Sequence, residues 1–275
     1  MSLADLPPLR ESLEAHGLLA KKSLGQHFLL DLNITRKIAR LAEVTADDLV
    51  IEVGPGPGGL TRALLETGAD VVAVEKDPRF LPLLEDLASA ADGRLTLRLA
   101  DALAVSEAEI AGGRPAKVVS NLPYNVGTPL LLKWLTGSFT PASMTLMFQK
   151  EVARRIVARP GESAFGRLAV ISQACAEAQL VMDVPARAFT PPPKVESAVV
   201  RLRPLATRPP QPLLESLQAV TAAAFGQRRK MLRSSLKSEG GEILCEASGL
   251  DAARRAETLD ISEFLSLAEA RLRLR

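Results

Sequence analysis

The chain is poor in the residues that hold metals. Its 275 residues include two cysteines and two histidines. Cys175 and Cys245 are too far apart for a metal knuckle, and neither His16 nor His27 lies near a cysteine. A His/Cys zinc centre of the kind nucleobase deaminases use has no ligands to draw on, so no metal is expected. Both cysteines are expected to be small buried apolar residues rather than a disulfide pair. Long apolar runs are missing too: none reaches the roughly 18 residues of a membrane span. The opening MSLADLPPLRESLEAHG is acidic and interrupted where a signal peptide would be basic and then apolar. A cytoplasmic protein with no membrane partner is expected.

Apolar residues make up 47% and charged residues 24% of the chain, so it folds by ordinary burial, and its length predicts about two domains. A net charge of +2 hides a polarity. Residues 41–110 hold 5 basic and 14 acidic positions, whereas 201–240 hold 8 basic and 2 acidic ones. Arg228, Arg229, Lys230, Arg233 and Lys237 crowd into ten residues of the latter. Such asymmetry points to a polyanionic partner, against the plainer reading of a solvated helix face.

Short apolar runs at 49–53, 71–75, 95–100 and 117–120 alternate with helix-like segments, the pattern of a parallel sheet covered on both faces. Further strands are expected at 144–148, 180–184 and 197–202. Together they predict an α/β fold with a mostly parallel sheet of about seven strands, antiparallel towards its C-terminal end. The segment RPLATRPPQP then carries four prolines and reads as a linker. It divides the chain into residues 1–205 and a small all-helical domain, 206–275. That domain should have helices at 213–225, a basic one at 228–237, a short one at 242–247, and one at 262–273 after a Ser N-cap.

Ile51-Glu52-Val53-Gly54-Pro55-Gly56-Pro57-Gly58-Gly59 ends a strand and opens a helix. Its glycines and prolines let a ligand approach bare backbone at the carboxyl edge of the sheet. Gly54, Gly56 and Gly59 also satisfy G-x-G-x-x-G, a pattern that alone leaves a dinucleotide open. Glu75 follows Gly54 by 21 residues and ends the next strand, where a carboxylate can accept from both ribose hydroxyls. Asp101 ends the strand after that and could accept from an adenine amine. One carboxylate per strand end around a glycine turn describes an adenosine site.

Ser120-Asn121-Leu122-Pro123-Tyr124-Asn125 emerges at the same edge, and Tyr124 is the only tyrosine. The lone pair of an exocyclic amine is delocalised into its ring. Attack on a sulfonium methyl therefore needs hydrogen-bond acceptors that localise the pair and an aromatic face that fixes the base. The Asn121 side-chain oxygen and the Leu122 carbonyl supply acceptors, Pro123 fixes the backbone, and Tyr124 supplies the face. No strong base is needed, because the alkylated ammonium gives up its proton readily. Alignment and electrostatic complementarity then provide the main catalytic effect.

Together with Lys21-Lys22-Ser23-Leu24-Gly25-Gln26-His27-Phe28-Leu29, Val74-Glu75-Lys76-Asp77, Phe189-Thr190-Pro191-Pro192-Pro193-Lys194-Val195 and Phe225-Gly226-Gln227-Arg228-Arg229-Lys230, these motifs resemble the KsgA/RsmA family over nearly the whole chain. Its members are S-adenosylmethionine-dependent ribosomal RNA adenine dimethyltransferases. The resemblance implies a Rossmann-like class I methyltransferase sheet and S-adenosylmethionine as donor. It implies that His27, Leu29, Gly54, Glu75, Asp101 and Asn121 contact that donor, and that Leu122, Pro123 and Tyr124 form the base pocket with Asn121. The substrate it implies is two adjacent adenosines in the 3′-terminal hairpin loop of 16S ribosomal RNA, each dimethylated on N6 by a monomeric enzyme acting in small-subunit biogenesis. The family often has Asn where this chain has His27, and Asp where it has Glu196.

Lys21, Lys22, Arg228, Arg229 and Lys230 are expected to meet phosphates, while a pocket that admits an unstacked adenine selects the base. Phe189 and the prolines after it read as a rigid loop, with Phe189 either a second stacking face or a hydrophobic plug. Residues 1–30 are expected to form a lid and RNA-contact segment, with 25–29 closing over the donor. Three other readings stand beside this one: a nicotinamide oxidoreductase, a noncatalytic RNA-binding or transcription-factor relative, and a large-subunit ribosomal RNA adenine methyltransferase. The first gives no account of Asn121 to Tyr124. The intact motif argues against the second, and the Phe225-to-Lys230 run against the third.

Overall fold

The computed structural model of the protein describes residues 2–18, 27–227 and 229–275. The strands in chain order are β1 (Phe28–Leu29), β2 (Leu49–Val53), β3 (Asp70–Glu75), β4 (Leu95–Leu99), β5 (Ala116–Asn121), β6 (Ser143–Gln149), β7 (Ala176–Val184), β8 (Phe189–Thr190) and β9 (Ser197–Pro204). Helices α1 (Leu9–Ala15), α2 (Leu32–Leu41), α3 (Gly59–Leu65), α4 (Leu81–Ala90), α5 (Glu107–Ala111), α6 (Gly127–Thr136), α7 (Lys150–Val157) and α8 (Arg167–Cys175) intersperse with them. After β9 come α9 (Gln211–Gly226), α10 (Leu232–Ser235), α11 (Gly241–Ala247) and α12 (Ile261–Arg273).

Seven strands form one sheet in the order β4-β3-β2-β5-β6-β9-β7. All five residues of β2 are buried, as its near-continuous apolar sequence requires. It pairs in parallel with β3 on one side and β5 on the other, β6 continues in parallel beyond β5, and β9 runs antiparallel to β6. The expected mostly parallel sheet with antiparallel C-terminal character is what forms. At its edge, β4 exposes Arg98 and Leu99. The chain winds outward from β2 through β3 to β4 and then returns to β5, so the strand order reverses between β2 and β5. The carboxyl ends flanking such a reversal are where open α/β sheets bind ligands.

A two-stranded ribbon was not expected from the sequence. Phe28 pairs with Thr190 and Leu29 with Phe189, so Phe189 is ladder-paired rather than part of an irregular loop. The strands are two residues each and about 160 residues apart in the chain, too short for a periodic signal.

The chain divides into two compact units. The first comprises Met1–Leu131, Ser138–Ala153 and Leu180–Leu202, and the second Leu132–Gly137, Arg154–Gln179 and Arg203–Arg275. The second therefore begins its C-terminal portion in the proline-rich segment but also takes in two earlier stretches that the sequence reading assigned to residues 1–205. Its core packs Phe165, Val170, Leu217, Leu244, Phe264 and Leu267, all fully buried. α12 is capped by Asp260, not Ser262: the Asp260 carboxylate accepts from the Glu263 N–H, and Glu263 accepts from the Asp260 N–H.

The described part of the basic segment, 229–237, is not one helix. Met231 is extended and bridges Arg255, and the N–H groups of Leu232 and Arg233 bond the carbonyls of Arg254 and Ala252. Those donors are spent outside the helix, so only Leu232–Ser235 closes a turn. Arg229 and Lys230 are exposed.

In the first unit, the glycine loop carries α3, and α3 carries Arg62. Arg62 is 8% exposed, and its guanidinium donates to the carbonyls of Pro7, Leu3 and Leu6 at 3.1, 3.0 and 3.3 Å. It thereby clasps the chain before α1, which lays Leu9 against Gly59. A Cβ at Gly59 would meet Leu9 at 3.1 Å and the Leu29 carbonyl oxygen at 2.7 Å, so only glycine fits there. Arg62→Ala should lower stability by roughly 2–4 kcal/mol in urea unfolding, since it deletes charge-assisted bonds to three carbonyls. Limited proteolysis should then cut before α1 first.

Candidate active site

The glycine loop leaves β2 through residues in left-handed conformation, with φ of +67° at Gly54, +53° at Gly56 and +83° at Gly58. Side-chain-bearing residues rarely adopt it. The loop is held from beneath by Glu75 at the end of β3. One carboxylate oxygen accepts from the Gly56 N–H at 3.0 Å, and the other accepts from the N–H groups of Lys76 and Asp77 at 2.8 Å each. The acid expected to bind ribose thus also fixes the shape of the loop.

Across the reversal point, β5 delivers Asn121 and the turn Leu122-Pro123-Tyr124. The Pro123 carbonyl accepts from the N–H groups of Val126 and Gly127, which opens α6. The Ser120 hydroxyl donates to the Val53 carbonyl, so the ends of β5 and β2 are tied directly. A Cβ at Gly54 would lie 3.4 Å from the Pro123 ring. The two motifs, about 70 residues apart in the chain, are in van der Waals reach.

Between them lies a cavity of about 450 Å³, within the usual range of about 300–1,000 Å³ for small-molecule sites. His27, Leu29, Gly54, Glu75, Asn121, Leu122, Pro123, Tyr124 and Phe189, all singled out from sequence, line it. The His27 ring nitrogen Nδ1 lies 2.7 Å from the Pro191 carbonyl. Phe189 is 3% exposed and belongs to the core cluster of the unit, so it plugs the cavity wall and presents little open face. Phe28 and Phe80 meet edge to face at 5.5 Å and close another side.

Asp101 stands apart. It is at the carboxyl end of β4, but it pairs with Lys76 at 2.7 Å and accepts from the Leu103 N–H, and it is not part of the cavity lining. Lys21, Lys22 and Arg228 lie outside the described residues.

The sequence reading missed Glu52. This acid sits in the middle of β2 at 1% exposure and lines the cavity. Burial, opposed by the Thr61 hydroxyl facing it and reinforced by the neighbouring Glu75 charge, pushes its carboxyl up to about 8. Its Oε2 and the Thr61 hydroxyl are buried without a hydrogen-bond partner among the described residues. A lone acid in Leu-Val-Ile-Glu-Val was the available signal. An orphaned carboxyl oxygen beneath a glycine cradle, beside a carboxylate at the next strand end, fits a ligand that carries both an ammonium and a ribose.

A glycine loop at the reversal point of this sheet, an acid ending the adjacent strand and an Asn-Leu-Pro-Tyr turn on the facing wall define a class I S-adenosylmethionine-dependent methyltransferase. A family model described as "Ribosomal RNA adenine dimethylase" matches residues 17–271. The chain belongs to that family, and its activity is S-adenosylmethionine-dependent dimethylation of adenine in ribosomal RNA. It is 72% identical over 270 residues, 98% of this chain and 94% of the relative, to the ribosomal RNA small subunit methyltransferase A of Phenylobacterium zucineum (strain HLK1). It is 68% identical to the protein of that name from Caulobacter vibrioides, over 92% of this chain and 98% of the relative. Among solved structures it resembles a dimethyladenosine transferase from Plasmodium falciparum in fold, with a TM-score of 0.72 at 24% identity over 88% of this chain and 96% of that one. The 23S rRNA methyltransferase ErmE gives a TM-score of 0.68 at 28% identity, over 88% and 98%.

Glu52 has a testable energetic signature. Its folded-state pKa of about 8 stands above the ordinary 4.5, so the folded chain keeps a proton that the unfolded chain releases. Stability contributed by that carboxyl is complete below pH 4.5 and is lost as pH rises to about 8. Glu52→Gln should therefore gain on the order of a few kcal/mol over the parent at pH 8.5 and almost nothing at pH 4.5. Denaturant unfolding at both pH values measures it.

Proposed function

We propose that this chain acts on the small ribosomal subunit or its precursor, as a cytoplasmic monomer, and dimethylates N6 of two adjacent adenosines in the 3′-terminal hairpin loop of 16S ribosomal RNA. The observation that carries this reading is that Asn121, Leu122 and Tyr124 border the same cavity as Gly54 and Glu75. The names of the most similar relatives support the choice of subunit.

S-adenosylmethionine supplies a methyl group made electrophilic by its sulfonium. Glu52, Gly54 and Glu75 would hold it, together with His27, Leu29 and the amide of Asn121. Asp101 would join them after exchanging its bond to Lys76 for one to the adenine amine. The target adenine leaves its stack to enter the cavity. Tyr124 lies against the face of the base. The Asn121 side-chain oxygen and the Leu122 carbonyl accept from the N6 amine, pulling its lone pair out of conjugation and towards the donor. Burial raises the Tyr124 phenol above its ordinary range, so Tyr124 stays neutral and serves as a surface rather than a base. Once the methylated ammonium has released a proton to solvent, the nitrogen regains its lone pair, and its one remaining N–H donates to one of the two acceptors to orient it for a second transfer.

Outside the cavity, the exposed Arg229 and Lys230 would meet RNA phosphates, with Lys21, Lys22 and Arg228 alongside them in sequence. Residues 1–205 would carry the chemistry and 206–275 the contact with RNA.

Transfer of labelled methyl groups to small subunits lacking the modification tests the reading. The parent chain should incorporate four methyls per subunit, and no incorporation would overturn the assignment of substrate. Asn121→Ala should lower kcat by about 100-fold or more, the scale for removing one preorganised polar group from a reaction centre, with RNA affinity unchanged. Arg229→Ala with Lys230→Ala should leave donor affinity intact. Filter binding across salt concentrations should show the slope of log K against log salt flattening by about 1.4 to 1.8.

A further inference from the structure

We propose that Ser197 is a positioning residue for methyl transfer: its buried hydroxyl fixes the direction of the Tyr124 ring axis before the base arrives. This rests on the reading that Tyr124 stacks on the target adenine. The phenol oxygen of Tyr124 and the Ser197 Oγ are 2.7 Å apart and share a hydrogen bond. Ser197 is 0% exposed and opens β9, where it pairs with Gln149, the last residue of β6. Because β9 is antiparallel to β6, its first residue lies at the carboxyl edge, where the cavity opens.

The backbone at Ser197 has little freedom. The Lys150 N–H donates to the Glu196 carbonyl at 2.9 Å. The Lys150 ammonium donates to the Glu196 carboxylate at 2.8 Å and lies 3.3 Å from Asp183. The segment just before β9 is therefore anchored to the start of α7 through both main chain and side chain, and Ser197 inherits that placement.

Tyr124 is held at its other end by the turn that folds back on the Pro123 carbonyl. A tyrosine ring has two soft torsions. With its Cα fixed by a proline turn and its hydroxyl fixed by a strand, the first torsion and the ring axis are set; the second torsion turns about that axis and is narrowed by the preference of the phenol O–H to lie in the ring plane. An aromatic face ordered in advance costs no freedom when the base stacks, whereas a free ring loses its rotamer entropy at that moment. Ser197 would thus act on the transfer through Tyr124 and make no demand on the donor.

The test is a cycle of Ser197→Ala, Tyr124→Phe and the double variant, with labelled-methyl transfer for kcat and calorimetry for donor Kd. Each single variant should lower kcat by about 3- to 10-fold and leave donor Kd at the parental value. The double variant should be no slower than either single one, because both remove the same bond. Independent, multiplying losses in the double variant would overturn the proposal, as would a parental rate in Ser197→Ala or a weakened donor Kd in step with the rate. Tyr124→Ala separates the two readings. If it methylates at the parental rate, the stacking role of Tyr124 has failed. If it is slow while Ser197→Ala is parental, stacking survives and the role of Ser197 has failed.

Discussion

The site depends on how closely the ends of two parallel strands can be brought together after their ladder stops. Backbone pairing of β2 with β5 runs from Leu49 with Ala116 to Ile51 with Val118. Beyond that point the Ser120 hydroxyl takes over, donating to the Val53 carbonyl. One side-chain bond thus sets the separation of the glycine loop and the Asn-Leu-Pro-Tyr turn. It is sheltered from water, since Ser120 is buried, and a buried hydroxyl bond is costly to leave unmade. Glycine at position 54 suits its positive φ, and a Cβ there would be in ordinary contact with the Pro123 ring.

The two carboxylates beneath the loop divide their work by environment. The Glu75 side chain accepts from three backbone N–H groups, and those bonds shape the loop. Glu52 lies one strand away with an oxygen that makes no hydrogen bond of good geometry among the described residues, and burial keeps it protonated near neutrality. A hydrophobic residue at that position in an otherwise apolar strand would stabilise the sheet. Retaining an acid there trades stability for a polar group aimed into the cavity.

What could be read from the sequence followed from periodicity and local chemistry. The central strands were legible because burial on both faces demands uninterrupted apolar runs. The glycine loop, Glu75 and Asn121 to Tyr124 were legible because each ends such a run and so emerges at one edge. Features that depend on distant partners were not legible. The β1–β8 ribbon joins two dipeptides across most of the chain. The residues after Arg228 look helical until the carbonyls of Ala252 and Arg254 claim the N–H groups a longer helix would use. Asp101 was placed at the correct strand end, yet its ion pair with Lys76 could not be seen in a pattern of strand ends. The split into two units departed from the proline linker for the same reason. Residues 154–179 fold with the C-terminal helices because Phe165, Ala169 and Val170 complete the apolar core around Phe264.

The N-terminal chain is tied to the cavity walls by contact rather than by sequence proximity. Arg62 holds the carbonyls of Leu3, Leu6 and Pro7 from within α3, and α3 is the helix the glycine loop opens. Leu13 of α1 packs with Phe28, Phe80, Leu83 and Leu84, and Phe28 and Phe80 also line the cavity. α1 therefore packs against two aromatic walls of the cavity and, through Leu9, against Gly59, the residue at which the loop becomes helix. α1 thus backs the cavity walls, although it contributes no residue to the cavity lining.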